Sequence, residues 1–219
     1  MRTAWLKRKV IVVFVAAFVG WLGISFTLYL MSGRIIYQPE LGADAKYSIP
    51  FELEYVQNGE GDRIEMMWIP KGEDWKQEKT FLYLHGNVGR LSYIVEELSK
   101  RGNVLSPSYP GFSGSEGKSN TEKIYEVVDL SIAFLNNKGV KDGDIVVLGH
   151  SLGGSPAVYA ATKYPDLDEV ILVNTFYSLK EMCRVSYPGF CIFAGGFHDS
   201  AAIAPHAKAR IRQFHNVSD

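Results

Sequence analysis

Ser151 stands in Gly149-His150-Ser151-Leu152-Gly153, directly after the apolar run Ile145-Val146-Val147-Leu148. A serine hydroxyl is a weak nucleophile unless it is held out at a sharp corner, with a base beside it and N–H donors facing the charge that develops. Gly-x-Ser-x-Gly at a strand-to-helix turn supplies the corner, because small residues two before and two after the serine let the strained backbone pack. A helix is expected immediately afterwards, over residues 155–164, where Pro156 is tolerated because it falls in the first turn. The competing interpretation is an ordinary glycine-rich turn with a passenger serine. The β-branched run before it and the small-residue helix after it favour the nucleophilic corner.

The elements that must position this serine follow from periodicity. Residues 51–56 and 63–70 alternate like two half-exposed strands, and residues 80–84 are continuously apolar, as in a buried parallel strand. Helical patterns at residues 91–101 and 121–137 follow the strands at 80–84 and 103–109. The second carries Ile124, Val127, Val128, Ile132 and Leu135 on one face. The serine strand at 144–148 comes next, then its helix, then a strand at 169–175. Strands alternating with helices predict a parallel α/β sheet whose functional groups gather at the strands' C-terminal ends, where His85, Tyr109, Ser151 and Thr175 fall.

The chain has 219 residues, room for one membrane segment and one domain, and a formal net charge of −1 with no basic patch, which argues against a nucleic-acid partner. Residues 10–31 carry no charge and as a helix would reach about 33 Å, enough to cross a hydrocarbon core of about 30 Å. Arg2, Lys7, Arg8 and Lys9 precede the stretch, and Arg34 alone follows closely. This bias predicts a cytoplasmic N-terminus, with the following domain on the periplasmic, luminal or extracellular side. The length and the poor cleavage context at Tyr29-Leu30-Met31-Ser32-Gly33 predict an uncleaved signal anchor rather than a signal peptide. The expected division is therefore a basic segment and anchor at residues 1–33 and a catalytic domain at 34–219. Cys183 and Cys191 show no zinc-site spacing, and sequence leaves open whether they form a disulfide or remain two buried thiols.

Four motifs in order carry a family resemblance: Tyr83-Leu84-His85-Gly86-Asn87, Ser108-Tyr109-Pro110-Gly111-Phe112-Ser113-Gly114-Ser115-Glu116-Gly117, the Ser151 corner, and Asn174-Thr175-Phe176-Tyr177-Ser178-Leu179. Over residues 35–219 the chain resembles the membrane-anchored serine hydrolases of the α/β-hydrolase group, which includes lysophospholipases, monoacylglycerol-type lipases and protein depalmitoylases. The resemblance implies an α/β-hydrolase fold, a mostly parallel central sheet behind one transmembrane helix, with a short cap over residues 176–208. It implies Ser151 as nucleophile, the backbone N–H groups of Asn87 and Leu152 as the oxyanion hole, and a structural rather than basic role for His85. Ser108 stands where the family usually has aspartate, outside the catalytic triad.

The fold's chain order is Ser, then Asp, then His. Asp219, after the strand-like Ala209-Arg210-Ile211-Arg212-Gln213-Phe214-His215, resembles the family's catalytic acid. Phe197-His198-Asp199-Ser200 resembles a cap segment. On that assignment the base is a histidine beyond residue 219, and the fold's last strand and helix are missing from this chain. The alternative pairs Asp199, after a short strand at 190–194, with His215, though the gap barely holds a helix and a returning strand. The expected substrate is a small or lipid-like carboxylic ester or thioester, cleaved without metal or organic cofactor. A catalytically inactive binding protein and a serine peptidase of the same fold are the alternatives.

Overall fold

The computed structural model describes residues 2–42, 46–191 and 198–216. It begins with α1 (Arg2–Ile36), whose segment Lys7–Ile36 is long and apolar enough to cross a membrane. Behind it, among the described residues, seven strands form one sheet in the order β1-β2-β4-β3-β5-β6-β7. The strands are β1 (Glu52–Gln57), β2 (Arg63–Ile69), β3 (Thr80–Leu84), β4 (Asn103–Pro107), β5 (Ile145–His150), β6 (Glu169–Val173) and β7 (Ile211–Phe214). The first two pairings, β1 with β2 and β2 with β4, are antiparallel, and every later one is parallel.

The helices α2 (Ser92–Ser99), α3 (Thr121–Asn137) and α4 (Gly154–Lys163) cover the two faces. Strand side chains alternate between faces with period two, and the core divides accordingly. Met66, Trp68, Leu82, Leu84 and Leu105 join α3 and α4 in the larger cluster, whereas Met67, Ile69, Tyr83 and Val104 join Val95 and Leu98 of α2. Each fully buried Leu, Ile or Val contributes roughly 1.5–3 kcal/mol, so this two-sided burial dominates the stability. The start of α3 is set by Asn120, whose side-chain oxygen accepts from the Lys123 N–H at 2.8 Å.

One expectation changes. β1 is a half-exposed edge strand, but β2 is buried at every residue after Arg63, Glu65 included. It lies between β1 and β4, and the Glu65 carboxylate is neutralised by a buried ion pair with Arg90. The polar positions of β2 mark a paired charge inside the fold, not a wet face.

The topology also fixes where a ligand can sit. From β3 the chain steps to β4 on one side, then returns to β5 on the other. In open α/β sheets the crevice for ligands lies at the C-terminal ends of the strands where the order reverses. Here those ends are Leu84 and His150.

Beyond β6 stand α5 (Leu179–Ser186) and α6 (Ser200–Ile203), capped by Ser178 and Asp199. Cys183 and Cys191 form a disulfide, with Cα atoms 5.9 Å apart. Residues 192–194 of the expected short strand lie outside the described residues.

Candidate active site

β5 passes into α4 through Ser151, whose φ of 52° lies in the left-handed region. Holding a non-glycine residue there costs about 1–3 kcal/mol, which the surrounding packing must offset. The packing is tight at the two positions where the motif demands small residues. A Cβ on Gly149 would lie 2.7 Å from the Ala157 Cβ, and one on Gly153 would lie 2.8 Å from the His85 carbonyl oxygen. The turn after β3 is pressed against the turn after β5 as a result. A Cβ built on Gly86 would come 3.4 Å from the Ser151 Cβ.

This juxtaposition brings Asn87, Ser151 and Leu152 to the wall of one cavity of about 290 Å³. Ser151 and Leu152 lie in the single turn that leads into α4, so Ser151 sits at the positive end of that helix's dipole.

His85 is held by backbone groups on both sides. It is fully buried; its Nδ1 donates to the Gly86 carbonyl at 2.7 Å and its Nε2 accepts from the Tyr109 N–H at 3.3 Å. Both ring nitrogens are thereby committed to backbone groups, and burial pushes its pKa down to about 3. The ring fastens the Asn87 turn to the loop after β4.

The sequence matches the alpha/beta hydrolase fold family over residues 79–190, the segment that carries the Asn87 turn, the Ser151 corner and the first part of the cap. The chain belongs to the α/β-hydrolase family. It is 30% identical over 177 residues to the membrane protein YNL320W of Saccharomyces cerevisiae, covering 74% of this chain and 61% of that one. It is 29% identical over 125 residues to the phosphatidylserine lipase ABHD16A of Rattus norvegicus, covering 55% and 22%. Its fold superposes on esterase Pf2001 of Pyrococcus furiosus with a TM-score of 0.60 at 19% identity, over 76% of this chain and 70% of that one. The chain spans less than two thirds of the length of the curated relatives it matches.

The departure at Ser108 has a local cause in this α/β-hydrolase. The Glu65 carboxylate accepts from the Ser108 hydroxyl at 3.3 Å and from the Gly114 N–H at 3.1 Å, besides its bond to Arg90. An aspartate at 108 would set a second carboxylate against Glu65 in a buried site. Arg90 in turn donates to the Ser106 carbonyl at 3.0 Å, so β2, β4 and the 108–117 loop are tied at one point.

Asp199 and His215 are not gathered here. Asp199 caps α6, accepting from the Ala202 N–H at 3.1 Å, and pairs across an isolated bridge with Ser178. His215 is exposed beyond β7, with its Nε2 2.6 Å from the Gln213 side-chain nitrogen. Neither lines the cavity, and among the described residues no hydrogen bond or ion pair joins them. Asp219 lies outside the described residues.

The far wall of the cavity was not anticipated. It is made by Ser25, Leu28, Ser32 and Ile36 of α1 and by cap residues such as Leu179 and Tyr187. A signal existed: Ser25 and Ser32, two turns apart, set two hydroxyls on one line of a mostly apolar helix.

Proposed function

We propose that this α/β-hydrolase is a membrane-anchored serine hydrolase that cleaves carboxylic esters or thioesters of lipid-like acyl groups through an acyl-enzyme on Ser151. The observation that carries the proposal is the strained Ser151 corner opening, with Asn87 and Leu152, into a cavity whose far wall is largely apolar. The relatives named as lipase and esterase support the same class.

In this mechanism the Ser151 Oγ attacks the acyl carbonyl while its proton passes to a histidine base. The N–H groups of Asn87 and Leu152 receive the oxyanion, each such donor contributing roughly 100–1000-fold. The leaving alcohol or thiol takes the proton from the histidinium, and water then attacks the acyl-serine by the same route in reverse. The acid is assigned to Asp219 and the base to a histidine following it in chain order, as the fold's Ser-Asp-His order requires. The positive charges at the start of α1, Arg2, Lys7, Arg8 and Lys9, support a cytoplasmic N-terminus with the domain, residues 34–219 with its cap at 176–208, across the membrane. The Cys183–Cys191 disulfide accords with an oxidising compartment there.

The test uses the protein produced from its own full reading frame in membranes, treated with a fluorophosphonate probe and assayed on long-chain esters. Labelling at Ser151 and hydrolysis, both abolished in Ser151→Ala with a fall of about 10⁶-fold in kcat, are expected. A wild-type protein that neither labels nor hydrolyses would leave the inactive binding protein as the better account.

A further inference from the structure

The α1 residues on the cavity wall, Ser25, Leu28, Tyr29, Ser32, Ile35 and Ile36, recur at spacings of three and four and so trace one face of the helix for three turns. From Ser25 to Ile36 that face runs about 16 Å, close to the roughly 15 Å of one leaflet of a hydrocarbon core about 30 Å thick. Its deep end lies within the charge-free stretch that ends at Met31, and its shallow end lies at Arg34 to Ile36, near Asn87 and Ser151.

The cap follows α1 down into the same layer. Trp21, midway along the charge-free stretch, donates its indole N–H to the Gly189 carbonyl at 2.6 Å. In hydrocarbon each of those groups unpaired would cost several kcal/mol, so the bond matches two polar groups that lack water at that depth. On the helix before Gly189, Met182 lines the cavity, while Val185 stands outward at 84% exposure beside the exposed Glu181–Arg184 ion pair. A surface that mixes an exposed valine with a charged pair suits a cap at the membrane interface, its apolar side toward acyl chains and its ionic side toward headgroups. Ser25 and Ser32 keep the facing surface of α1 narrow, and the Ser25 hydroxyl, at 1% exposure, has no protein partner.

We infer that α1 and the cap together form an acyl-chain groove, occupied by one acyl chain of a bilayer lipid ester that stays in its leaflet while its carbonyl is presented to Ser151. The inference rests on the proposed hydrolase reading and adds the substrate's source: the anchor helix is part of the substrate site, and the lipid enters sideways from the membrane. The ester of such a lipid lies at the hydrocarbon boundary, the level at which the groove meets Asn87 and Ser151. No transfer through water is needed.

The full chain in phosphatidylcholine vesicles containing a trace of phosphatidylcholine with a diazirine-bearing palmitoyl chain tests this. After irradiation, cross-links are mapped by peptide mass spectrometry. They are expected to concentrate on Leu28, Ser32 and Met182 relative to the lipid-facing Val15 and Val19, and to be lost from the groove in Leu28→Trp and in Ser32→Phe. Val15→Trp and Ser151→Ala should leave them intact. Cross-links spread evenly around α1, or unchanged by either groove-filling variant, would overturn the inference, as would groove labelling by detergent-dispersed probe but not by probe in vesicles. If one variant does not fold, the other and the wild-type map still decide. Because groove labelling does not need the nucleophile, persistent cross-links without fluorophosphonate labelling would count against the hydrolase proposal and not against the groove.

Discussion

Ser151 and Leu152 on one side of the cavity stand on backbone with almost no freedom, whereas Leu179 and Met182 on the other stand on a helix with no buried residue of its own, and Tyr187 caps its end. The first wall belongs to the sheet: Val147, Leu84 and Ala157 around the corner are completely buried. The second is held by a few separate ties, the Cys183–Cys191 disulfide, the Trp21–Gly189 hydrogen bond and the Tyr37–His198 hydrogen bond at 2.8 Å. The proposed nucleophile would have to stay aimed at one carbonyl, and Ser151 is built where the core over-determines it. A wall proposed to admit an acyl chain has to yield, and few buried contacts are the structural form of yielding.

The largest predicted effect lies at the rigid wall. Gly153→Val drives a branched side chain into the carbonyls of Leu84 and His85, where backbone cannot move aside. A loss of about 3 kcal/mol or more is expected. For a chain of this size that lowers the unfolding temperature by roughly 6–12 °C. Val185→Ala, on the outer side of the helix that carries the facing wall, should change stability by less than about 0.5 kcal/mol. Thermal unfolding of both variants reads the contrast, and comparable losses would remove it.

Acid reaches the two sides differently. Burial pushes His85 down to about 3 and His198, beside Tyr37, down to about 4, both from an ordinary 6.5. The folded state therefore holds both rings neutral while the unfolded chain protonates them. Their contribution to stability is complete above about pH 6.5 and lost as pH falls, down to about 4 for His198 and about 3 for His85. In denaturant titrations at pH 7, 5 and 4, His198→Gln should lose stability less steeply than wild type between 6.5 and 4. Parallel slopes would show that water reaches His198 in the folded state and that the cap side is looser still.

The same division decides what was legible in the sequence. The strands, the three packed helices and the Ser151 corner were readable because their determinants are local: period-two and period-3.6 burial, and small residues at Gly149 and Gly153. Element ends shifted by a residue or two, leaving Tyr109 and Thr175 just past β4 and β6. The interior position of β2 was not legible, because whether Glu65 is paired depends on Arg90, 25 positions away and on another element. The far wall was hidden for the same reason on a larger scale. Trp21 and Gly189 are 168 positions apart, and a helix that reads as an anchor gives only Ser25 and Ser32 as a hint that one face meets protein.

The smallest global effect, and the most local, is predicted at the disulfide. Cys183 and Cys191 close a short loop, 8 positions apart, worth about 2–3 kcal/mol of chain entropy by the loop-closure relation. That figure applies to the unit the loop constrains. α5 has no buried residue, so the cap can open without exposing the sheet, and opening is governed by the local rather than the global free energy. The double variant Cys183→Ser/Cys191→Ser should therefore raise amide hydrogen exchange and proteolytic cleavage across residues 179–191 while leaving the unfolding temperature of the sheet within a few degrees of wild type. A matching loss of protection in β3 and β5 would mean that cap and core unfold as one unit. The two walls of the cavity would then differ in burial but not in freedom.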